Sequence, residues 1–306
     1  MRILVVGAGG VGGYFGGKLA RAGEAVTMVA RGAHLAALRA RGLTVCSAVE
    51  GEWRAPVAAV DEVRGLPTAD TVIIAVKSFD TESALETVRP AVGPGTAVLT
   101  LQNGVDNVEK IDRLLGAGHA VGGVAYVFAA IEAPGVIAHR AAGRVALGEL
   151  SGTVSARAER LRAVFEKAGV PAALSTSIER VLWEKYLFIC AQAGMTALTR
   201  CPIGVVRAIP ETWRMYRAIL EELGAVAAAA KIGLAPDVVD TLVKAAEALG
   251  PETVSSLSHD LVQGKRLELE ALHGHAVRLG ERYGVPTPAL SAVYAALRPH
   301  AAGRRG

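Results

Sequence analysis

At 306 residues, 51% hydrophobic and 20% charged, the chain has the balance of a globular protein and enough length for two domains. A net charge of +4, with no basic run longer than two residues, argues against nucleic-acid or membrane binding. Cys46, Cys190 and Cys201 lack metal or redox spacing and read as small buried hydrophobes in a reducing, cytoplasmic setting.

The apolar N-terminus, MRILVVGAGG, is broken by glycine too early for a signal peptide or a membrane span. Short β-branched runs at 2–6, 25–30, 70–76, 97–102 and 120–130 alternate with amphipathic stretches such as VGGYFGGKLARA and AHLAALRAR. Strand and helix in alternation imply parallel pairing with crossover helices, an α/β doubly wound sheet of Rossmann type. RVALGEL and the helical SARAERLRAVFEKAG carry this region to about residue 174. From Ser177 the pattern becomes all-helical, with IERVLWEKYLFICAQAGMTALT, ETWRMYRAILEELGAVAAAAKIG, PDVVDTLVKAAEAL and GKRLELEALHGHAVRLGERYG as four long helices. The expected domains are 1–176 and 177–306. Inter-domain clefts are favoured ligand sites.

The first strand runs into Gly7-Ala8-Gly9-Gly10-Val11-Gly12, which opens a helix and is followed by a second strand. In that context the glycines read as a dinucleotide cradle. Gly7 permits the tight turn, Gly9 the approach of a pyrophosphate, and Gly12 close helix–strand packing; free N–H groups of the helix start would meet the phosphates. After the second strand stands Arg31, with no carboxylate nearby on its C-terminal side. A guanidinium there suits a 2′-phosphate, so the expected cofactor is NADP(H) and not NAD.

Two further polar stretches follow later strands, where open α/β sheets place ligands. One is AVKSFDT with Lys77; the other is LQNGVDN, with Gln102, Asn103 and Asn107. Asn103-Gly104 reads equally as a turn and as an amide facing the cofactor. Lys185 opens an otherwise greasy run, WEKYLFICAQAGMTALTR, in a chain with 33 Lys+Arg of which eight are lysine. It reads either as a snorkelling surface lysine or as a group kept for proton transfer, which arginine cannot perform. Towards the C-terminus, Ser255-Ser256-Leu257-Ser258-His259-Asp260 looks like a helix cap. Glu268 heads a segment that also carries His273 and His275, which are two apart and so do not share a helix face as zinc ligands would. No metal site is expected.

In order, GAGGVG, VKSFDT, LQNGVDN, WEKYLF, TALTRCPIG and SSLSHDLVQGKRLELEALHG followed by GVPTP resemble the ketopantoate reductase (2-dehydropantoate 2-reductase) family over nearly the whole chain. The resemblance implies an NADPH enzyme of pantothenate synthesis with a Rossmann domain, a helical domain and the substrate between them. It makes Lys185 the catalytic lysine, which would hydrogen-bond the ketone and protonate the developing alkoxide as hydride arrives from the nicotinamide. Asn103 and Ser256 would hold the substrate carboxylate, Glu268 a substrate hydroxyl, and Lys77 would line the cofactor. The chain departs from the family at Ile189 and Ala193, four and eight residues after Lys185, where asparagines are usual. Gln192, seven residues on, returns to nearly the same helix face and offers a longer amide. The departure opens two alternatives, a more apolar 2-oxo acid or a non-catalytic NADP(H)-binding regulator; a third, oxidation of the hydroxy acid, stands because the same site serves both directions. The apolar helical half suits a homodimer.

Overall fold

A computed structural model describes residues 1–304. The chain divides into two compact units, one of Met1–Gln102 with Asp106–Val181, the other of Asn103–Val105 with Leu182 onward.

The first unit alternates as expected from its β-branched runs. In chain order it holds β1 (Arg2–Val6), α1 (Gly10–Arg21), β2 (Ala25–Val29), α2 (Gly32–Arg41), β3 (Leu43–Ser47), β4 (Gly51–Ala55), β5 (Ala58–Val60) and β6 (Thr71–Ile74). There follow α3 (Thr81–Val88), β7 (Ala97–Thr100), α4 (Asn107–Leu115), β8 (Ala120–Ala133), β9 (Val136–Gly148), α5 (Ala156–Lys167) and β10 (Ala172–Leu174). Six parallel strands lie in the order β5-β2-β1-β6-β7-β8, the doubly wound dinucleotide-binding arrangement. β1 is central, pairing Ile3 with Val26 on one side and Thr71 on the other, and its interior residues are buried on both faces.

β8 is shared. Its first residues pair with β7, and the rest runs antiparallel to β9 in a long hairpin whose register shifts three times, at Tyr126/Val127, Phe128/Ala129 and Ile131/Ala133. Such bulges bend a ribbon and increase its twist. β3 joins β9 in parallel and carries β4, so a mixed extension grows from the parallel sheet. β3, β4, β5 and β10 lie outside the expected strands; each is only three to five residues long. Tyr14, Phe15 and Leu19 of α1 pack with Leu43, Trp53 and Ile137 in one core.

The second unit is helical, with no strand among its described residues. α6 (Ile178–Thr199) begins at the end of the first unit and continues into the second. After it come α7 (Ile203–Ala208), α8 (Pro210–Ala229), α9 (Val238–Glu247), α10 (Ser256–Val262), a π-helical turn at Glu270–Gly274, α11 (His275–Tyr283) and α12 (Pro288–Leu297). Proline stands at the first turn of α8 and α12, where its missing N–H costs nothing. The single helix expected over 264–284 is replaced by the π-turn and α11. Lys265 N–H bonds the Asp260 carbonyl and Leu267 N–H the Ala301 carbonyl, so these donors are taken before a helical ladder can start. No helix among the described residues is long and apolar enough to cross a membrane.

Candidate active site

In the first unit, each glycine of the β1–α1 turn has its own geometric reason. Gly7 has φ +94°, and a Cβ there would stand 2.8 Å from Val76 N. A Cβ on Gly12 would lie 2.1 Å from the Gly7 carbonyl oxygen, so the helix passes its own turn at a separation that only glycine permits. Gly9 is different: a Cβ there meets no atom within 4 Å, leaving open space over the helix start. Gly10 packs against β8, where a Cβ would come 2.0 Å from the Ala129 carbonyl oxygen. The first intrahelical bond runs from Gly13 N–H to Gly9 O at 2.6 Å. The N–H groups of Gly10, Val11 and Gly12 therefore precede the helical ladder and supply the donors and positive dipole end that a pyrophosphate takes. Ala8 is buried beneath the turn.

Arg31 is exposed and stands as the N-cap of α2, just past the carboxyl end of β2. Lys77, half-buried after β6, caps the short helical turn Ser78–Asp80. Gln102 turns out to be structural: its Nε2 donates to Val76 O at 3.0 Å and to Thr81 Oγ1 at 2.8 Å. It thereby ties the segment after β7 to the segment that carries Lys77. At the next residue the chain enters the second unit, where Asn103 is half-buried and Gly104 takes φ +107°. Turn and amide thus occupy the same dipeptide.

In the second unit, α6 carries Lys185 among buried Trp183, Tyr186 and Leu187. The residue as a whole is half-buried, yet desolvation pushes its ammonium down from 10.5 to about 8, against the opposing charge of Glu268. Burial is the larger cause, and the Glu268 charge works against it. Glu268 itself is 7% exposed. A lysine near neutrality beside a buried carboxylate can give a proton to a developing oxyanion and recover it.

Two turns along α6, Gln192 is 6% exposed, and neither its amide oxygen nor its nitrogen has a hydrogen-bond partner among the described residues. Ile189 is half-buried and Ala193 buried. Ser256 is exposed in the first turn of α10. Its neighbour Ser255 is the actual cap, accepting from Ser258 N at 3.0 Å, and its hydroxyl also hydrogen-bonds the Thr196 hydroxyl at 2.8 Å, which fastens the start of α10 to α6 one turn beyond Gln192. The cap expected in the Ser255–Asp260 cluster is thus Ser255, whereas its partner Thr196, 59 residues away, had no local signal. Sequence reasoning also missed Tyr186 and His273, whose partners are backbone carbonyls distant in sequence. Among the described residues no cluster of His, Cys, Asp and Glu has a metal-holding arrangement.

Comparison with known proteins agrees with this architecture. Residues 3–152 match the family model described as ketopantoate reductase PanE/ApbA, and residues 177–301 match its C-terminal model. A 2-dehydropantoate 2-reductase of Mesorhizobium japonicum is 33% identical over 97% of both chains. The crystal structure of a PanE/ApbA family ketopantoate reductase from Ralstonia eutropha superposes with a TM-score of 0.91 at 34% identity, covering 98% of each chain. A D-mandelate dehydrogenase solved with NADH and anilino(oxo)acetate shares the fold at TM-score 0.91 and 23% identity, covering 98% of both chains.

Proposed function

The chain belongs to the ketopantoate reductase family, oxidoreductases acting on CH–OH groups, and from that premise we propose that it reduces 2-dehydropantoate to pantoate with NADPH. The observation that carries the reading is Lys185, an amine pushed down to about 8 inside an apolar helix with the Glu268 charge upon it. Carbonyl reduction builds negative charge on the ketone oxygen, and Lys185 is the cation that stabilises and protonates it. Glu268 holds the ammonium charged and accepts from a substrate hydroxyl. Asn103 and Ser256 take the substrate carboxylate, and the buried amide of Gln192 contributes a donor and an acceptor to the pocket.

On the cofactor side, the Gly7–Gly12 turn cradles the pyrophosphate, Lys77 lies along the dinucleotide, and Arg31 pairs with the 2′-phosphate. The reduced nicotinamide supplies the hydride. Arg31 in place of an acidic residue supports NADPH over NADH.

A second reading rests on Ile189 and Ala193, which line α6 with apolar surface where the family usually has amides: the preferred 2-oxo acid is bulkier or less hydroxylated than 2-dehydropantoate. One experiment tests both readings. NADPH oxidation is followed with 2-dehydropantoate and with a series of branched and aromatic 2-oxo acids, and NADH is run alongside. Highest kcat/KM for 2-dehydropantoate with NADPH supports the first reading, and a clear preference for an apolar analogue supports the second. Absence of turnover with every 2-oxo acid refutes both.

A further inference from the structure

His273 has no part in the chemistry just described, and its setting is unusual. It is fully buried on the π-helical turn Glu270–Gly274, directly after Glu268. Its Nε2 lies 2.9 Å from the carbonyl oxygen of Cys190, in the middle of α6. Because a carbonyl only accepts, Nε2 carries the proton and donates. Burial pushes the imidazole down to about 4, so it is neutral at ordinary pH and this tautomer is fixed. Nδ1 is buried without a hydrogen-bond partner among the described residues. The ring reaches the helix because residue 194 is glycine; a Cβ there would stand 2.7 Å from Nε2.

A second bond runs between the same two elements. The Tyr186 hydroxyl, one residue after Lys185, donates to the Leu272 carbonyl at 2.6 Å. The π-turn is tied back to Glu268, whose carbonyl accepts from Leu272 N–H at 3.2 Å, while Gly274 N–H bonds Leu269 O at 2.9 Å. Irregular turns of this kind hold their extra residue only when tertiary contacts define them. The two bonds to α6 therefore clamp the segment that bears Glu268 against the helix that bears Lys185.

We infer that His273, with Tyr186, is a positioning residue that sets the distance between the Glu268 carboxylate and the Lys185 ammonium. The inference rests on the reading of Lys185 as the proton donor, but its geometry stands without it. The titratable groups on the elements packed here include Glu184, Tyr186 and Cys190 of α6, Glu268, His273 and His275, and Glu270, whose carboxylate is taken by Arg278, Arg298 and Tyr294. Among them Glu268 is the one whose charge acts on Lys185. Loosening the clamp lets Glu268 retreat, removes part of what raises the lysine, and lowers its ionisation further. At an effective dielectric near 20, moving one unit charge from about 5 Å to about 6 Å from another corresponds to about 0.4 of a pH unit.

The test compares wild type with His273→Leu, His273→Gln and Gly194→Ala. Leucine fills the space without a donor, glutamine restores an N–H near Nε2, and the alanine methyl pushes the ring away. Lys185 ionisation is read directly by NMR titration of isotope-labelled lysine, assigned by its loss in Lys185→Met, and in parallel from the alkaline limb of the pH dependence of kcat. His273→Leu and Gly194→Ala should each move the ionisation down by about 0.4 unit or more and cut kcat several-fold. His273→Gln should restore most of both. Unchanged Lys185 ionisation in His273→Leu and Gly194→Ala overturns the inference, as does a glutamine variant no better than leucine. If His273→Leu does not fold, Gly194→Ala and Tyr186→Phe carry the same expectation. The NMR readout needs no turnover, so failure of the 2-oxo acid assignment is distinguishable from failure of the clamp.

Discussion

Gln192→Met separates folding from function at one side chain. The substitution keeps nearly the same volume and shape while removing both polar atoms, so it creates neither a large cavity nor overpacking. In the ligand-free protein the amide is 6% exposed with both polar atoms unpartnered among the described residues. A buried polar group left without partners costs about 1–3 kcal/mol, and methionine removes that cost. At roughly 2–4 °C per kcal/mol, the melting temperature of the ligand-free variant should rise by several degrees. The substrate then loses its bonds to the amide, and at about 0.5–1.5 kcal/mol each kcat/KM should fall roughly 2- to 10-fold per bond. Differential scanning calorimetry of the apoprotein and steady-state kinetics on the best 2-oxo acid measure the two effects. A variant that melts lower than wild type refutes the reasoning, because the amide must then be satisfied within the folded apoprotein.

Three more outcomes follow from the same geometry. Arg31→Ala should weaken NADPH by a factor matching about 1.5–3 kcal/mol while leaving NADH nearly unchanged, as fluorescence titration of both cofactors would reveal. Gly9→Ala and Gly12→Ala should behave oppositely, since a Cβ meets nothing within 4 Å at Gly9 but stands 2.1 Å from the Gly7 carbonyl at Gly12. The first should melt like wild type and lose cofactor affinity, and the second should lose thermal stability even without cofactor. Lys185→Met should flatten one component of stability against pH. The folded-state pKa is depressed, so the unfolded chain holds the extra proton between about 8 and 10.5 and wild-type stability rises across that window. Denaturant midpoints across that range should climb in wild type and stay level in the variant.

Much of this arrangement could be read from residues alone, for physical reasons that differ from place to place. β1, the glycine turn and α1 were legible because a buried strand, φ-permissive glycines and a helix must occur in that order for the turn to exist. α6 was legible as a helix from its length, and the anomaly of Lys185 from its apolar neighbours. β3 and β4 were not, because LTVCS and GEWRA are short and half-polar; β3 is held by pairing with the distant β9, Val45 to Ile137, and β4 only by pairing with β3. Gln102 and Asn103 looked alike in sequence, yet Gln102 spends its amide on Val76 and Thr81. The Tyr186 and His273 bonds join positions 86 and 83 residues apart, and no local pattern announces them. The break in the expected helix at 264–284 comes from backbone donors claimed by Asp260 and Ala301, again a tertiary effect.

The central claim is that Lys185 gives the proton during NADPH-linked reduction of a 2-oxo acid, and the pH dependence of single-turnover reduction in wild type and Lys185→Met tests it most directly. With enzyme and NADPH in excess, the wild-type rate should fall as pH rises through about 8, where the ammonium loses its proton. The variant should be slower by about 10²–10⁴-fold, with no inflection in that region. A variant that reduces the substrate at an ordinary rate, or a wild-type rate flat through that inflection, would contradict the account.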